Sequence, residues 1–316
     1  MKSYICKAKI ITPLFMGGAN QQPELRTQSI NGLLRWWFRI AGGSIDDEKR
    51  LFGWAGDKSN QGLVRIFIIK EPHFVPQNFS NSGSGYSYLG FSLRMRRREA
   101  IPIDTEFEIK ISFHPKSTEN DIKKFFCALW LAFNLGNFGS RSRRGFGSIM
   151  IEDIQGDFPN DFRLEFKPKD PPKGWINDQL NKIRNLKDKD GKPFWSGRKE
   201  IPYLFNNFEI YLFGQDNNWE NLLNKAGEEY KNFRRQKSLD DRIVFGLPII
   251  SVKKYKNLRR ASLLMFKVIK MPNNYVLLFL ISKPNNNHQF NFHPKIQNVN
   301  WNLLSDFVRD KTKIFP

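Results

Sequence analysis

Cysteine, acidic charge and long apolar runs are all scarce in this chain, and each scarcity closes off a class of function. Only two cysteines occur, Cys6 and Cys127, one in a stretch that reads as a strand and one in a stretch that reads as a helix. A disulfide scaffold or a zinc site is therefore not expected, and a reducing, cytoplasmic setting fits. No stretch approaches the ~18 uncharged apolar residues of a membrane span. The longest apolar run, Tyr275 to Ile281, has the length of a strand. The opening residues MKSYICKAKI alternate polar and apolar and lack the continuous apolar region of a secretory signal. Acids are outnumbered, with 31 Asp+Glu against 51 Lys+Arg and a formal charge of +20 over 316 residues. What the chain does have is hydrophobic material: 40% of residues, including 29 Phe, which is enough for two cores and excludes global disorder.

The positive charge is not a tail. Residues 1–160 hold 22 Lys+Arg against 15 Asp+Glu, and residues 161–316 hold 29 against 16. A charge spread over both halves implies a polyanionic partner met along an extended surface, most simply a nucleic acid.

Periodicity orders the first half. Lys2–Thr12 alternates with Tyr4, Cys6, Ala8 and Ile10 on one face, which predicts a strand stopped by Pro13. Ser29 stands at an N-cap position ahead of Ile30, Leu33, Leu34, Trp37 and Phe38 at helical spacing, and Gly42-Gly43 ends that helix. Leu63–Ile69 and Thr105–Phe113 read as strands, separated by a Ser/Gly/Asn/Pro-rich loop over 71–92. A helix opened by Ser117 or Asn120 carries Ile122, Phe125, Phe126, Leu129, Trp130 and Phe133, and Gly147–Ile154 is a fourth strand. The order β-α-β-β-α-β is the ferredoxin-like, or RRM-like, arrangement. Residues 155–206 read as connection, with a short helix near Ile176–Leu186. A strand at Phe208–Phe213, an amphipathic helix at Trp219–Arg235, a strand or loop at Arg242–Ile250, a hairpin of Leu263–Ile269 and Tyr275–Ile281 through Pro272-Asn273-Asn274, and a last helix at Trp301–Val308 form a looser copy of the first half. The expectation is an α+β chain of two ferredoxin-like (βαββαβ) domains in tandem with insertions, residues 1–156 and 157–316.

The most informative stretch is Gly136-Asn137-Phe138-Gly139-Ser140-Arg141-Ser142-Arg143-Arg144-Gly145-Phe146-Gly147-Ser148. Glycines allow positive φ and close backbone approach, consecutive amides can cradle an anion, and Arg141, Arg143 and Arg144 add forked donors. The loop lacks the Gly-Lys-Ser/Thr of a Walker A motif. It closes a helix and opens a strand, the reverse of a Rossmann fingerprint, so no nucleotide cofactor is expected. This loop resembles the signature glycine-rich loop of the RAMP superfamily, the repeat-associated proteins of CRISPR systems. Thr12-Pro13-Leu14-Phe15-Met16-Gly17-Gly18-Ala19, then Glu24-Leu25-Arg26, then Ser29 to Arg39 are similar to the first-subunit family of the type III-B (Cmr) effector complex. Phe245-Gly246-Leu247-Pro248 and Arg259-Arg260-Ala261-Ser262 resemble C-terminal elements of that family, although Leu263 stands where the family has proline and Asn31 where a basic residue is common. The resemblance implies two ferredoxin-like domains and a non-catalytic RNA-binding subunit. It implies a place near the 3′ end of a guide RNA beside other RAMP subunits, and a part in capturing single-stranded target RNA.

Several residues carry that expectation. Arg35 and Arg39, i and i+4 on the first helix, share a basic face near Gly17 and Gly18, with Arg26 just before it. Arg94, Arg96 and Arg98 fall on one side of an extended segment, and Arg259 and Arg260 follow Lys253-Lys254 and Lys256. Trp36, Trp37 and Phe38 read first as core packing and second as base-stacking platforms for single-stranded RNA, and Arg234 and Arg235 as a solvated or subunit-facing pair. The competing expectation is a metal-independent endoribonuclease of the same fold that processes guide RNA. Several RAMP endonucleases use a histidine near the first helix, but His73, His114, His288 and His293 all lie outside it. Asp46, Asp47 and Glu48 offer a possible Mg²⁺ site or, more simply, a solvated turn. Catalytic residues and metal ligands are accordingly expected to be absent.

Overall fold

The structure is a computed structural model and describes residues 2–56, 59–80, 83–197, 201–246, 261–283 and 299–315. The elements run β1 (Ser3–Ile10), α1 (Thr27–Ile40), α2 (Ile45–Phe52), β2 (Val64–Lys70), β3 (Gln77–Asn78), α3 (Ser84–Leu89), α4 (Phe91–Met95), β4 (Glu99–Ala100), β5 (Glu106–Phe113), α5 (Glu119–Asn134) and β6 (Ile149–Gln155). They continue with α6 (Pro172–Arg184), α7 (Leu204–Asn207), β7 (Phe208–Asp216), α8 (Trp219–Arg235), β8 (Leu264–Lys270), β9 (Tyr275–Ser282), α9 (Asn302–Phe307) and β10 (Thr312–Phe315).

Two four-stranded antiparallel sheets organise this mixed α/β chain, ordered β2-β5-β1-β6 and β10-β7-β9-β8. Numbered within each half, the first order reads second, third, first, fourth and the second reads fourth, first, third, second, which is the same sequence of neighbours seen from the opposite edge. The alternation of β1 is explained by burial: Tyr4, Cys6, Ala8 and Ile10 are inside, with Ile5 and Lys9 partly covered. α5 opens on a capping box in which Thr118 accepts from the Asp121 amide and Asp121 accepts from the Thr118 amide, so the cap is neither Ser117 nor Asn120.

The apolar run of β9 has a specific cause. Val276, Leu278 and Leu280 join one core with the first sheet, α5 and α6. Leu277, Phe279 and Ile281 join a second core with α8 and α9. A strand covered on both faces has no polar side to alternate with. The second sheet is therefore sandwiched, and the two cores share it.

The segment 71–92 departs from the loop expected there. It contains β3, α3 and the start of α4, and its Tyr86 and Leu89 enter the second core. Gly85 of this segment lets α3 cross α8 backbone to backbone: a Cβ on Gly85 would stand 2.0 Å from the Asn224 carbonyl oxygen, and one on Gly227 of α8 2.2 Å from that of Gly85. Arg94–Arg98 is likewise not extended. Arg94 sits in α4, Arg96 caps it and Arg97 has φ of 46°, so the alternation expected of Arg94, Arg96 and Arg98 is absent. The connection after β6 holds the 13-residue helix α6 on the first core, and Arg242 to Phe245 lies in a 3₁₀ turn.

Candidate nucleic-acid interface

The glycine-rich loop is held as a structural rivet between the sheets. Amides of Ser140 and Gly147 donate to the carbonyls of Phe15 and Pro13 at 2.8 and 3.0 Å, and that of Phe138 to Gly147 at 2.8 Å. A Cβ at Gly139 would stand 2.6 Å from the Phe15 carbonyl oxygen and one at Gly147 2.0 Å from that of Phe138, with φ of 75° and 76°. The glycines thus answer to the chain's own backbone, and these amides are already engaged rather than open to an anion. Asn137, 4% exposed, donates to the Phe266 carbonyl at 2.7 Å and accepts from Ser148 Oγ at 2.6 Å, which fixes the loop to β8.

The three loop arginines diverge. Arg144 points into the second core, donating to the carbonyls of Leu264 and Phe245 at 3.0 Å, to Ser262 Oγ at 3.2 Å and to Tyr230 Oη at 2.9 Å. Its guanidinium also lies 4.8 Å from the Tyr230 ring centre. Arg141, in the left-handed region with φ of 58°, donates to Ser92 Oγ at 2.8 Å. Arg143 bonds the Ser262 carbonyl and lies 5.4 Å from the centre of the Trp36 ring. Burial lowers the pKa of all three, and neighbouring arginines add to the effect at each; Arg143 falls to about 10.

Beside the loop opens a cavity of about 560 Å³, walled by Phe15–Gly18, by the Ser29–Trp37 side of α1, by Arg98, and by Leu135–Ser140 with Ser142, Arg143 and Met265. It brings Gly17, Gly18, Arg98 and Arg143 together. Arg98 reaches Gln21 Oε1 at 3.0 Å, and among the described residues neither Arg98 nor Arg143 is ion-paired. Arg26 stays next to Gly17, whose carbonyl it approaches at 3.5 Å, and pairs with Glu24 at 3.2 Å. Arg94 and Arg96 are exposed on and beside α4. Arg259 and Arg260 lie outside the described residues.

α1 splits its residues among three neighbours. Ile30, Leu34, Trp37 and Phe38 form the buried stripe. Arg35 and Arg39 turn to α2, where Glu48, 3% exposed, accepts from Arg35 at 3.1 Å and from Arg39 Nε at 2.8 Å. The expected free basic face is thus closed by an acid, and Glu48 belongs to the first turn of α2 rather than to a solvated turn. The Arg39 pKa is raised, first by this hydrogen bond. Ser29, Gly32 and Trp36 face the cavity. The aromatic trio therefore divides: Trp37 and Phe38 are fully buried, while Trp36 is a partly exposed wall.

Sequence reasoning missed Lys267 and Gly32. Lys267, 1% exposed on β8, donates to the carbonyls of Phe133 and Gly136 at 2.7 Å each, and burial lowers its pKa to about 7. Its only sequence signal is a lysine set between apolar residues, Phe266 and Val268, in a strand whose other lysine, Lys270, stands at its end. Gly32 stands inside α1, where glycine costs about 1 kcal/mol relative to alanine. Among the described residues there is no group of three or more His, Cys, Asp or Glu placed to hold a metal ion, and no helix long and apolar enough to cross a membrane.

Comparison with known proteins places this architecture. The profile of the RAMP superfamily matches residues 7–150, and that of the Cmr1-like C-terminal region matches residues 205–313. The chain is 29% identical over 315 residues to CRISPR system Cmr subunit Cmr1-1 of Pyrococcus furiosus, covering 91% of this chain and 88% of that protein. It is 32% identical over 191 residues to Cmr1-2 of the same organism, covering 49% of this chain and 98% of that protein. The fold is similar to the crystal structure of apo Cmr1 from Pyrococcus furiosus, with a TM-score of 0.70, 23% identity and coverage of 100% and 99%. It is also similar to a chain in the cryo-EM structure of the type III-B Cmr-beta bound to cognate target RNA and AMPPnP in the presence of ssDNA, with a TM-score of 0.61, 15% identity and coverage of 98% of both chains. With its first half matching the superfamily and its second half the Cmr1-like C-terminal region, the chain belongs to the RAMP superfamily and, within it, to the Cmr1 family of CRISPR type III-B subunits.

Proposed function

We propose that this chain is a non-catalytic RNA-binding subunit of a CRISPR type III-B effector ribonucleoprotein. In that role it sits near the 3′ end of the guide RNA, beside other RAMP subunits, and helps to capture single-stranded target RNA. The two sheets of matching strand order are its two ferredoxin-like domains, divided near Gly156. The observation that carries the reading is the cavity beside the glycine-rich loop, into which Arg98 and Arg143 bring charge that no acid neutralises among the described residues. Arg94 and Arg96 extend that charge along α4. The relatives named above as Cmr subunits, and a similar fold solved with cognate target RNA, support the setting.

Incubation of the purified protein with labelled single-stranded RNA and with duplex DNA, with and without Mg²⁺, tests the reading. Retention of intact single-stranded RNA, weakening with salt, is expected. Specific cleavage abolished by a single histidine substitution would replace it with the endoribonuclease reading.

A further inference from the structure

Each four-stranded sheet ends in two edge strands, and three of these four edges are guarded. β6 is bulged at Glu152 and carries Asp153 beside it. β10 spans only four residues, and on β8 the carbonyls of Leu264 and Phe266 are taken by Arg144 and Asn137. Apart from Arg65, β2 has none of these devices over Val64–Ile68. Its own bulge comes later, at Ile69, and the stretch reads Val-Arg-Ile-Phe-Ile without an acid, a proline or a glycine. The His114 amide donates to the Leu63 carbonyl at 2.8 Å. Alternation therefore turns the backbone of Leu63, Arg65 and Phe67 toward β5, and that of Val64, Ile66 and Ile68 toward the open edge. β2 is the last strand of its sheet, and no loop, turn or cap among the described residues bonds those three. Their side chains lie over the first core but stay half-buried, whereas Ile109 and Ile111 beside them on β5 are 0% exposed. Phe67, on the other face, is 45% exposed.

That edge is complementary to itself. Laid antiparallel on a second copy about an axis through Ile66, it sets Ile66 against Ile66 and Val64 against Ile68. Each of these pairs can exchange two backbone hydrogen bonds, and on the core side all of them are apolar. On the outer face Arg65 stands opposite Phe67 of the second copy, a cation against an aromatic ring rather than against another cation. We propose that β2 is a homodimer interface, in which two copies of this chain join edge to edge and run their first sheets into one. The second copy is the occupant because a single register satisfies every free backbone group and keeps the one charge of the stretch opposite a ring. The contact is isologous and closes on itself, so it ends at two copies. Its opposition is long-range: each chain carries +20, so the copies repel, and salt that screens them tightens the pair. RNA binding responds to salt in the opposite sense, and the dimer does not rest on it.

Sedimentation velocity of the RNA-free full chain over a concentration series, at low and at raised salt, tests the pairing. The wild type is expected to pass from monomer to dimer, and to do so at lower concentration in raised salt. Phe67→Lys places an ammonium opposite Arg65 of the other copy and should raise the dimer dissociation constant about ten-fold. Because Phe67 is exposed, that variant should melt where the wild type does. Mild oxidation reads the register. Ile66→Cys should link to its own copy, since facing residues of a hydrogen-bonded pair have Cα atoms about 5.5 Å apart, within disulfide reach. Val64→Cys should not link, since position 64 faces position 68 of the second copy, and the native Cys6 and Cys127 are buried. A chain that stays monomeric at every concentration overturns the proposal. So does a dimer untouched by Phe67→Lys, an Ile66→Cys variant that fails to link, or association beyond two copies. Protection of the Val64, Ile66 and Ile68 amides from hydrogen exchange that arises only when another Cmr subunit is added to a monomeric chain assigns the edge to that protein and overturns the second copy.

Discussion

Lys267 Nζ stands 2.7 Å from the carbonyl oxygen of Gly136, so a buried cation on the second sheet closes the C-terminal end of the helix that feeds the glycine-rich loop. Burial holds its pKa at about 7, against ~10.4 in an unfolded chain. Above pH 7 the unfolded state binds the additional proton, so stability rises with pH through this group. The buried thiols of Cys6 and Cys127, whose pKa values burial raises, act in the opposite sense above their ordinary value of ~8.5. The window that isolates Lys267 is therefore pH 6 to 8. Chemical denaturation of wild type and Lys267→Met should show the wild type gaining on the order of 1 kcal/mol relative to the variant across that window. Parallel pH profiles would remove the charge from the account.

Arg144 and Arg143 are adjacent but should fail differently. Arg144 donates to the Leu264 and Phe245 carbonyls and to two hydroxyls within the second core, a pattern that needs a planar fork. Arg144→Lys cannot satisfy it and should cost about 1–3 kcal/mol in urea denaturation. Arg143→Lys should cost less than Arg144→Lys, since Arg143 has a single carbonyl partner. Equal losses for the two would show that the network around Tyr230 does not carry the difference.

How much of this was legible in the sequence follows from how local each cause is. α8 matches its expected bounds because its buried Leu222, Leu223, Ala226 and Tyr230 recur at helical spacing. The run in β9 is visible as apolar, but burial on both faces depends on two cores that meet only in three dimensions. Segment 71–92 reads as a loop because small residues signal both a loop and a close helix crossing, and only the Gly85–Gly227 contact tells them apart. The arginines are the least legible. Arg35, Arg143 and Arg144 look alike in the chain, yet one meets a carboxylate, one an indole ring and one carbonyls from residues 245 and 264.

Glu48 is the acid that makes two arginines of α1 structural. It is 3% exposed and receives hydrogen bonds from both Arg35 and Arg39. Glu48→Gln keeps the shape but removes the charge, leaving two guanidinium groups facing each other without an anion. A loss of about 1–3 kcal/mol in urea denaturation is expected, below the figure for a fully buried pair because the arginines retain solvent contact. Raising the salt concentration should recover part of that loss by screening the two arginines from each other. A variant as stable as wild type at low salt would show that the pair contributes nothing.

Salt dependence separates the arginines that meet RNA from those that meet the protein. Taking one phosphate contact away from a single-stranded complex reduces the slope of log K against log salt by about 0.7. Arg98 and Arg143 carry charge into the cavity with no acid beside them among the described residues, so Arg98→Gln and Arg143→Gln should each reduce the slope by about that amount. Arg35 is also an arginine of this neighbourhood, but Glu48 already holds its guanidinium. Arg35→Gln should leave the slope as it is, whatever it does to stability. Fluorescence-anisotropy titrations over a series of salt concentrations resolve a change of that size. A slope lowered by Arg35→Gln and untouched by Arg143→Gln would move the RNA path off the cavity and onto the α1–α2 face.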